Sequence, residues 1–225
     1  MSLLRSAACV PESYYFAIEG GVCCGKTTLA NLVSSSTGSP RLPEYMEMVS
    51  PAHPAHSLAL PDLDRVLFFF ELDQRRSLSI GVQRNALVVG DRSILSIIAF
   101  EYAYSAVTGS RTFLPELVAD QDLFCWIPDS VVVFDLRDSI RIARWISRGH
   151  PPDSIFINPE FNRAIHIALR RASKAVPMVF LEASDLSPPQ MFRSTLSLLP
   201  AIQAGTARRR RPRLDALTAS VFTHG

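Results

Sequence analysis

Lysine is nearly missing from this chain. Its 225 residues hold two, Lys26 and Lys174, against 21 arginines. A GC-rich genome imposes that kind of bias, which makes a retained lysine worth notice. Long apolar runs are missing too: none reaches the roughly 18 residues of a membrane span. The opening MSLLRSAACVPESYY carries no apolar core followed by a cleavage site, so neither membrane anchor nor secretory leader is expected. The four cysteines, Cys9, Cys23, Cys24 and Cys125, lack metal-ligand spacing, and adjacent Cys23 and Cys24 make a poor disulfide pair. Reduced thiols in a cytoplasmic protein are expected. There is no internal repeat.

General basicity is also absent. The net charge is +2, but five arginines stand together in Arg208 to Arg213 (RRRRPR), and up to residue 207 there are 18 basic and 20 acidic residues. A nucleic-acid surface is therefore not expected. Residues 201–225 read as a basic, flexible tail behind one domain spanning 1–200. What is plentiful is core material: 48% hydrophobic residues, 13 Phe among them, exclude wholesale disorder.

Five short apolar runs alternate with helical patterns. Tyr15 to Glu19, Arg41 to Tyr45, Ala86 to Val89, Val131 to Leu136 and Met178 to Glu182 read as strands. Helices are expected from Lys26 (Leu29, Leu32 and Val33 on one face), from Asp62 (Leu63, Val66, Leu67 and Phe70), and from Ser93 to Gly109. Others follow over Asp138 to Arg148, Pro159 to Ala175 and Pro188 to Leu199. Met46 to Pro61, rich in Pro and His, reads as a surface excursion in which His53 and His56 are exposed. The alternation predicts an α/β fold, a five-stranded parallel sheet with helices on both faces.

Between the first strand and its helix stands Gly20-Gly21-Val22-Cys23-Cys24-Gly25-Lys26-Thr27, matching G-x-x-x-x-G-K-[ST]. Its glycines let successive backbone N–H groups converge on one anion, and the helix behind adds its positive end. Lys26 reaches the β- and γ-phosphates, Thr27 completes a Mg²⁺ shell, and Thr28 and the loop residues complete the ATP cradle. The motif uses one of the two lysines. It does not name a reaction, because GTPases, ATPases and small-molecule kinases share it. The absence of an N/T-K-x-D guanine-reading motif argues against a GTPase, and a single compact domain argues against a motor. Arg141, Arg144 and Arg148 recur at i, i+3 and i+7 on a helix broken by Gly149 to Pro152, beside an apolar face of Ile142, Trp145 and Ile146.

The segments YFAIEGGVCCGKTTLANLV, ALVVGDRSILSIIAFEYA and VVVFDLRDSIRIARWISRG, in this order and spacing, resemble the thymidylate kinase and deoxynucleoside kinase group of P-loop kinases over residues 14 to 183. The resemblance implies a P-loop NTPase fold with an arginine-bearing lid, here about 141–158. It implies Asp91 near Mg²⁺, Arg92 at the acceptor or its transferred phosphate, and Glu44 as the base for the attacking hydroxyl. Arg75 or Arg76 would serve the acceptor side, Arg141 the ATP, and Arg144 and Arg148 the developing charge. Thymidylate kinases usually read Arg-Glu-Pro around the base position. Here Pro43 stands in place of that arginine, which tilts the reading towards an acceptor that arrives as a bare alcohol, with Glu47 a substitute base.

The expected activity is transfer of the γ-phosphoryl of ATP to a nucleoside or nucleoside monophosphate, with Mg²⁺, by an enzyme that pairs with no nucleic acid or membrane and can form a homodimer. Two alternatives stand beside it: a kinase for another small alcohol (an antibiotic, sugar or amino-sugar), and a non-catalytic nucleotide-binding switch. Cys23 and Cys24 sit where a helix N-terminus and Lys26 favour a thiolate, so oxidation is expected to inactivate the site.

Overall fold

The computed structural model describes residues 13–50, 52–53, 62–81, 87–120, 125–206 and 212–223. Most of the Pro- and His-rich excursion, His56 included, lies outside the described residues, as do Arg208 to Arg211. The expected strands are all present: β1 Tyr14–Gly20, β2 Arg41–Leu42, β3 Leu87–Asp91, β4 Ser130–Asp135 and β5 Met178–Glu182. They form one wholly parallel sheet in the order β2-β3-β1-β4-β5. In register, Ile18 of β1 lies opposite Asp91 of β3, and Gly20 opposite Phe134 of β4. Because all strands run one way, their carboxyl ends share one edge, and the connections that follow them converge there.

The strands are apolar throughout because both faces are covered. Tyr15, Ala17, Val88, Val131 and Val133 enter one core; Phe16, Ile18, Val89, Val132 and Phe134 enter the other. Each such valine, isoleucine or phenylalanine, fully buried, stabilises the fold by about 1.5–3 kcal/mol. The second core is completed by α1 (Lys26–Thr37) and α7 (Pro188–Thr206), and the first by α2 (Asp62–Gly81), α3 (Ile94–Thr108), α4 (Leu114–Asp120) and α6 (Pro159–Ala172). Local chemistry sets the helix ends. Ser93 accepts from the Leu95 N–H at the start of α3, Asn158 caps α6 ahead of Pro159, and Gly38 and Gly109 stop α1 and α3 in the left-handed conformation. Helix α5 (Asp138–Ser147) follows β4.

Three expectations need correction. First, β2 is only two residues long; Tyr45–Met48 instead form a 3₁₀ turn capped by Glu44. Second, the buried residues of α2 are Arg65, Val66, Phe70, Leu72, Asp73, Arg76, Ser77 and Ile80, while Leu63 and Leu67 are exposed. Asp62 begins that helix and pairs with Arg65 at 2.7 Å. Third, residues 201–225 are not simply a flexible tail. Helix α7 runs on to Thr206, and α8 (Leu214–Phe222) packs into the first core through Leu214, Leu217 and Val221, with Arg171 donating to the Val221 carbonyl. Among the described residues no helix is long and apolar enough to cross a membrane.

Candidate active site

The carboxyl edge of the sheet opens into a cavity of about 1190 Å³. One end is the loop between β1 and α1. Gly20 and Gly25 hold φ of 129° and 91°, values side-chain-bearing residues rarely adopt, and a Cβ on Gly20 would strike the Phe134 carbonyl. The loop is thereby bent against β4 with its amides around the start of α1. Lys26 is buried, and its Nζ donates to the Gly21 carbonyl at 2.5 Å and lies 3.6 Å from Cys24 Sγ. Gly21, Val22, Cys23, Lys26, Thr27 and Thr28 face the cavity, whereas Cys24 is buried beneath the loop and donates to the Gly21 carbonyl.

The other end is built from the turns after β2 and β3. Glu44 accepts from the Met46 N–H at 2.8 Å with one oxygen, and its other oxygen is 2.9 Å from Arg92 Nε. That second contact is an ion pair, not an aligned hydrogen bond. Glu44 and Arg92, far apart in sequence, thus meet inside the cavity. Glu47 is engaged by Arg41, whose hydrogen bond holds its carboxyl below the ordinary range, so it makes the poorer base. Phe69, Ile97, Phe100 and Tyr104 also line the cavity, the three aromatic rings giving it flat surfaces.

Asp91 is fully buried behind Arg92. Its Oδ2 lies 3.5 Å from Arg41, and its Oδ1 has no hydrogen-bond partner among the described residues. The orphaned oxygen is a candidate ligand for a cation, but the Asp91 side chain lies behind the cavity wall and does not line it. No cluster of three or more His, Cys, Asp or Glu able to hold a metal unaided occurs among the described residues.

The lid segment leans on the loop. Arg144 donates to the Cys23 carbonyl at 3.3 Å, and Arg148, which lines the cavity, lies 3.7 Å from Cys23 Sγ. Lys26, Arg144 and Arg148 have no carboxylate partner among the described residues. Acceptor-side arginines are neutralised: Arg41 by Glu47, Arg65 by Glu101, Arg76 by Asp73 and Arg92 by Glu44. Positive charge without a carboxylate partner therefore stands beside the loop.

Three expected ligand-binding arginines are placed elsewhere. Arg75 is exposed and pairs with Glu71 at 2.8 Å, one turn back along α2, so it stands outside the cavity. Arg76 is buried and donates to the carbonyls of Asp91 and Arg92. Arg141 is buried rather than aligned with Arg144. It pairs with Asp138 and donates to the carbonyls of Phe156 and Ile157, which fastens α5 to the 3₁₀ turn Ile155–Ile157. The apolar face is also narrower than expected, with Trp145 buried and Ile146 exposed.

One residue of the site escaped the sequence reading. Glu19, the penultimate residue of β1, lines the cavity and accepts from Ser93 at 2.6 Å and Ser96 at 2.5 Å. Burial raises its pKa, against the two serine hydroxyls and the cations Arg92 and Lys26. A carboxylate at the end of a buried strand, one residue before an anion-binding loop, was the available signal.

Comparison with known proteins agrees with this geometry. A family model described as an AAA domain matches residues 15–127. The fold matches deoxyadenosine kinase from M. mycoides, solved with products dCMP and dCDP bound, at a TM-score of 0.66 and 14% identity, over 83% of this chain and 99% of that one. Thymidylate kinase from Candida albicans matches at 0.60 and 16% identity (84% and 92% covered), and that from Ehrlichia chaffeensis at 0.55 and 19% (84% and 100%). Identities this low show a shared fold, that of P-loop nucleoside and nucleotide kinases. A sequence comparison with curated proteins gave no match.

Proposed function

The chain belongs to the AAA domain family, and from that premise we propose that it is a Mg²⁺-dependent phosphotransferase carrying the γ-phosphoryl group of ATP to the hydroxyl of a nucleoside-like acceptor in the cytoplasm. The observation that carries the reading is the meeting of Glu44 and Arg92 at one end of a cavity whose other end is the glycine loop. A base and a cation then stand on the acceptor side of a phosphate cradle.

In this reading the loop amides, Lys26, Thr27 and Thr28 bind the donor phosphates. Lys26 exchanges its bond to the Gly21 carbonyl for a phosphate oxygen. Thr27 and Asp91 would hold Mg²⁺, which when bound neutralises phosphate charge. Glu44 takes the proton of the acceptor hydroxyl as its oxygen bonds to the γ-phosphorus; the bond to the bridging oxygen breaks and ADP departs. Arg92, Arg144 and Arg148 stabilise the charge spread over the transferring group. The lid excludes water, which would otherwise be the competing acceptor.

Two features support an acceptor without a phosphate of its own. Pro43 stands beside Glu44 where a phosphate-gripping arginine would serve, and the acceptor-side arginines named above are already paired with carboxylates. The flat walls of Phe69, Phe100 and Tyr104 suit a stacked ring. They suit the ring of another small alcohol equally, which keeps that acceptor as a second reading.

The test is ADP release from Mg·ATP against matched panels of nucleosides and their 5′-monophosphates, with Lys26→Ala as blank. Turnover on nucleosides is expected. Turnover on monophosphates alone would overturn the bare-alcohol assignment. Silence on both panels with ATP still bound would move the assignment to a non-nucleoside alcohol.

A further inference from the structure

Glu44 and Arg92 come from different strand ends, and both are held in place from behind by the same buried cluster. Arg92 has a φ of 71°, a left-handed conformation that a residue with a side chain keeps only when its surroundings impose it. Its carbonyl is gripped from two sides: Arg76 Nη2 donates to it at 2.8 Å, and Tyr15 Oη at 3.3 Å. The same Arg76 nitrogen donates to the Asp91 carbonyl at 3.1 Å. The carbonyl also lies against Gly90, where a Cβ would come within 2.8 Å of the Arg92 oxygen and 2.7 Å of the Tyr15 ring. The turn is fixed by contacts that leave no room to relax.

The cluster then reaches across to the other strand end. Arg76 Nη1 pairs with Asp73 at 3.4 Å, and Asp73 accepts the Tyr45 hydroxyl at 2.7 Å. The Arg76 guanidinium also stacks over the Tyr45 ring, 4.4 Å from its centre. Tyr45 opens the 3₁₀ turn that Glu44 caps, so its position sets where that carboxylate begins. Arg76, Asp73 and Tyr45 are each no more than 3% exposed. Arg76 and Asp73 do not line the cavity, and Tyr45, which does, spends its hydroxyl on Asp73. A fully buried arginine, with an aspartate and a tyrosine spent on holding it, is a costly way to fill a core if packing is its only role.

We infer that Arg76, with Asp73 and Tyr45, is a positioning unit that sets the distance between Glu44 and Arg92. This rests on the phosphotransfer reading of those two residues. Arg76 fixes the Arg92 backbone, Asp73 orients Arg76, and Tyr45 carries the same constraint into the turn behind Glu44. Arg76 grips the backbone of Asp91 as well as that of Arg92. Among the described residues the unit makes no hydrogen bond or ion pair with the glycine loop or Lys26, so its main effect falls on the transfer step and not on the affinity for ATP.

The experiment uses the full chain carrying Tyr45→Phe, Arg76→Lys or Asp73→Asn. With the acceptor found above, kcat is expected to fall at least fivefold in Tyr45→Phe and further in Arg76→Lys, while KM for ATP stays within twofold. In ¹H–¹⁵N spectra the amide signals of Arg92 and Met46 should both move in every folded variant, with those of Gly25 and Thr27 unmoved. Joint movement of two turns on different strands is what a linked unit requires. Variants that melt lower yet keep kcat and both amide signals would reduce the cluster to packing and overturn the inference. If Arg76→Lys does not fold, Tyr45→Phe decides, since it removes one oxygen and preserves volume. A wild-type chain that transfers phosphate to nothing would refute the phosphotransfer reading; the two amide signals would still report whether the turns are linked.

Discussion

Glu19 is the penultimate residue of a strand buried on both faces, and two serine hydroxyls and nearby cations compensate its charge. Burial places its folded pKa above the unfolded value of about 4.3. A group raised on folding stabilises the fold below its unfolded pKa, and that stabilisation is lost as pH rises through the folded pKa. Glu19→Gln keeps the shape and removes the charge. Its melting temperature relative to wild type should therefore be most favourable near pH 8 and lose that advantage towards pH 5; a difference independent of pH would contradict the assignment. Glu44 tests differently, because its role is in the chemistry. Glu44→Gln should lower kcat by about 10²–10⁴ while KM for ATP stays within twofold. Arg75→Ala should leave kcat/KM within twofold, because its partner Glu71 is equally exposed. The glycine loop was legible because the motif fixes residue type and spacing together. Arg75 and Arg76 were not: neighbours on a helix point about 100° apart, and only the packing of α2 decides which turns inward.

Among the elements, α8 contradicts the expectation most directly. Leu217 and Val221 are completely buried beneath it. Leu217→Ala should cost about 2–5 kcal/mol, measurable as a lower midpoint in urea unfolding with an unchanged slope. A loss below about 0.5 kcal/mol would mean that the helix detaches easily. Its spacing of Leu214, Leu217 and Val221 was visible in the sequence, but nine residues behind an arginine run carry little weight alone. The strands were legible for the opposite reason, since each is a short apolar run stopped by a turn, and a parallel sheet needs both faces dry. Helix α2 misled because its inward stripe contains Asp73, Arg76 and Ser77. A reading that sends leucines inward cannot find a helix whose buried face is partly a polar network.

At the scale of the whole molecule, the sheet edge gathers three cations, Lys26, Arg144 and Arg148, around one loop, and none of them forms an ion pair with a carboxylate among the described residues. Under the proposed function a bound polyphosphate would relieve their mutual repulsion and hold α5, which already touches Cys23 through Arg144, more firmly on the loop. In the proposed reading the segment would move as a piece, because Arg141 ties α5 to the Ile155–Ile157 turn and Trp145 donates to the Pro151 carbonyl at 2.7 Å. The Trp145 ring lies 4.3 Å from His150 and 5.8 Å from Phe156, and it lines the cavity. Mg·ATP should therefore change the emission of Trp145, and Trp126→Phe should keep that change while Trp145→Phe abolishes it. Replacing Arg144 and Arg148 together with alanine should weaken ATP binding at least tenfold, with the emission change lost or shifted to correspondingly higher ATP. It should also raise the share of ADP formed without phosphorylated acceptor, because a lid that no longer closes admits water. The loss in affinity should shrink as salt rises, since screening weakens the wild-type attraction and leaves the alanine variant nearly unaffected. Wild-type emission that is indifferent to Mg·ATP would mean that α5 rests on the loop permanently, with the arginines serving as fixed donors and no closure to drive.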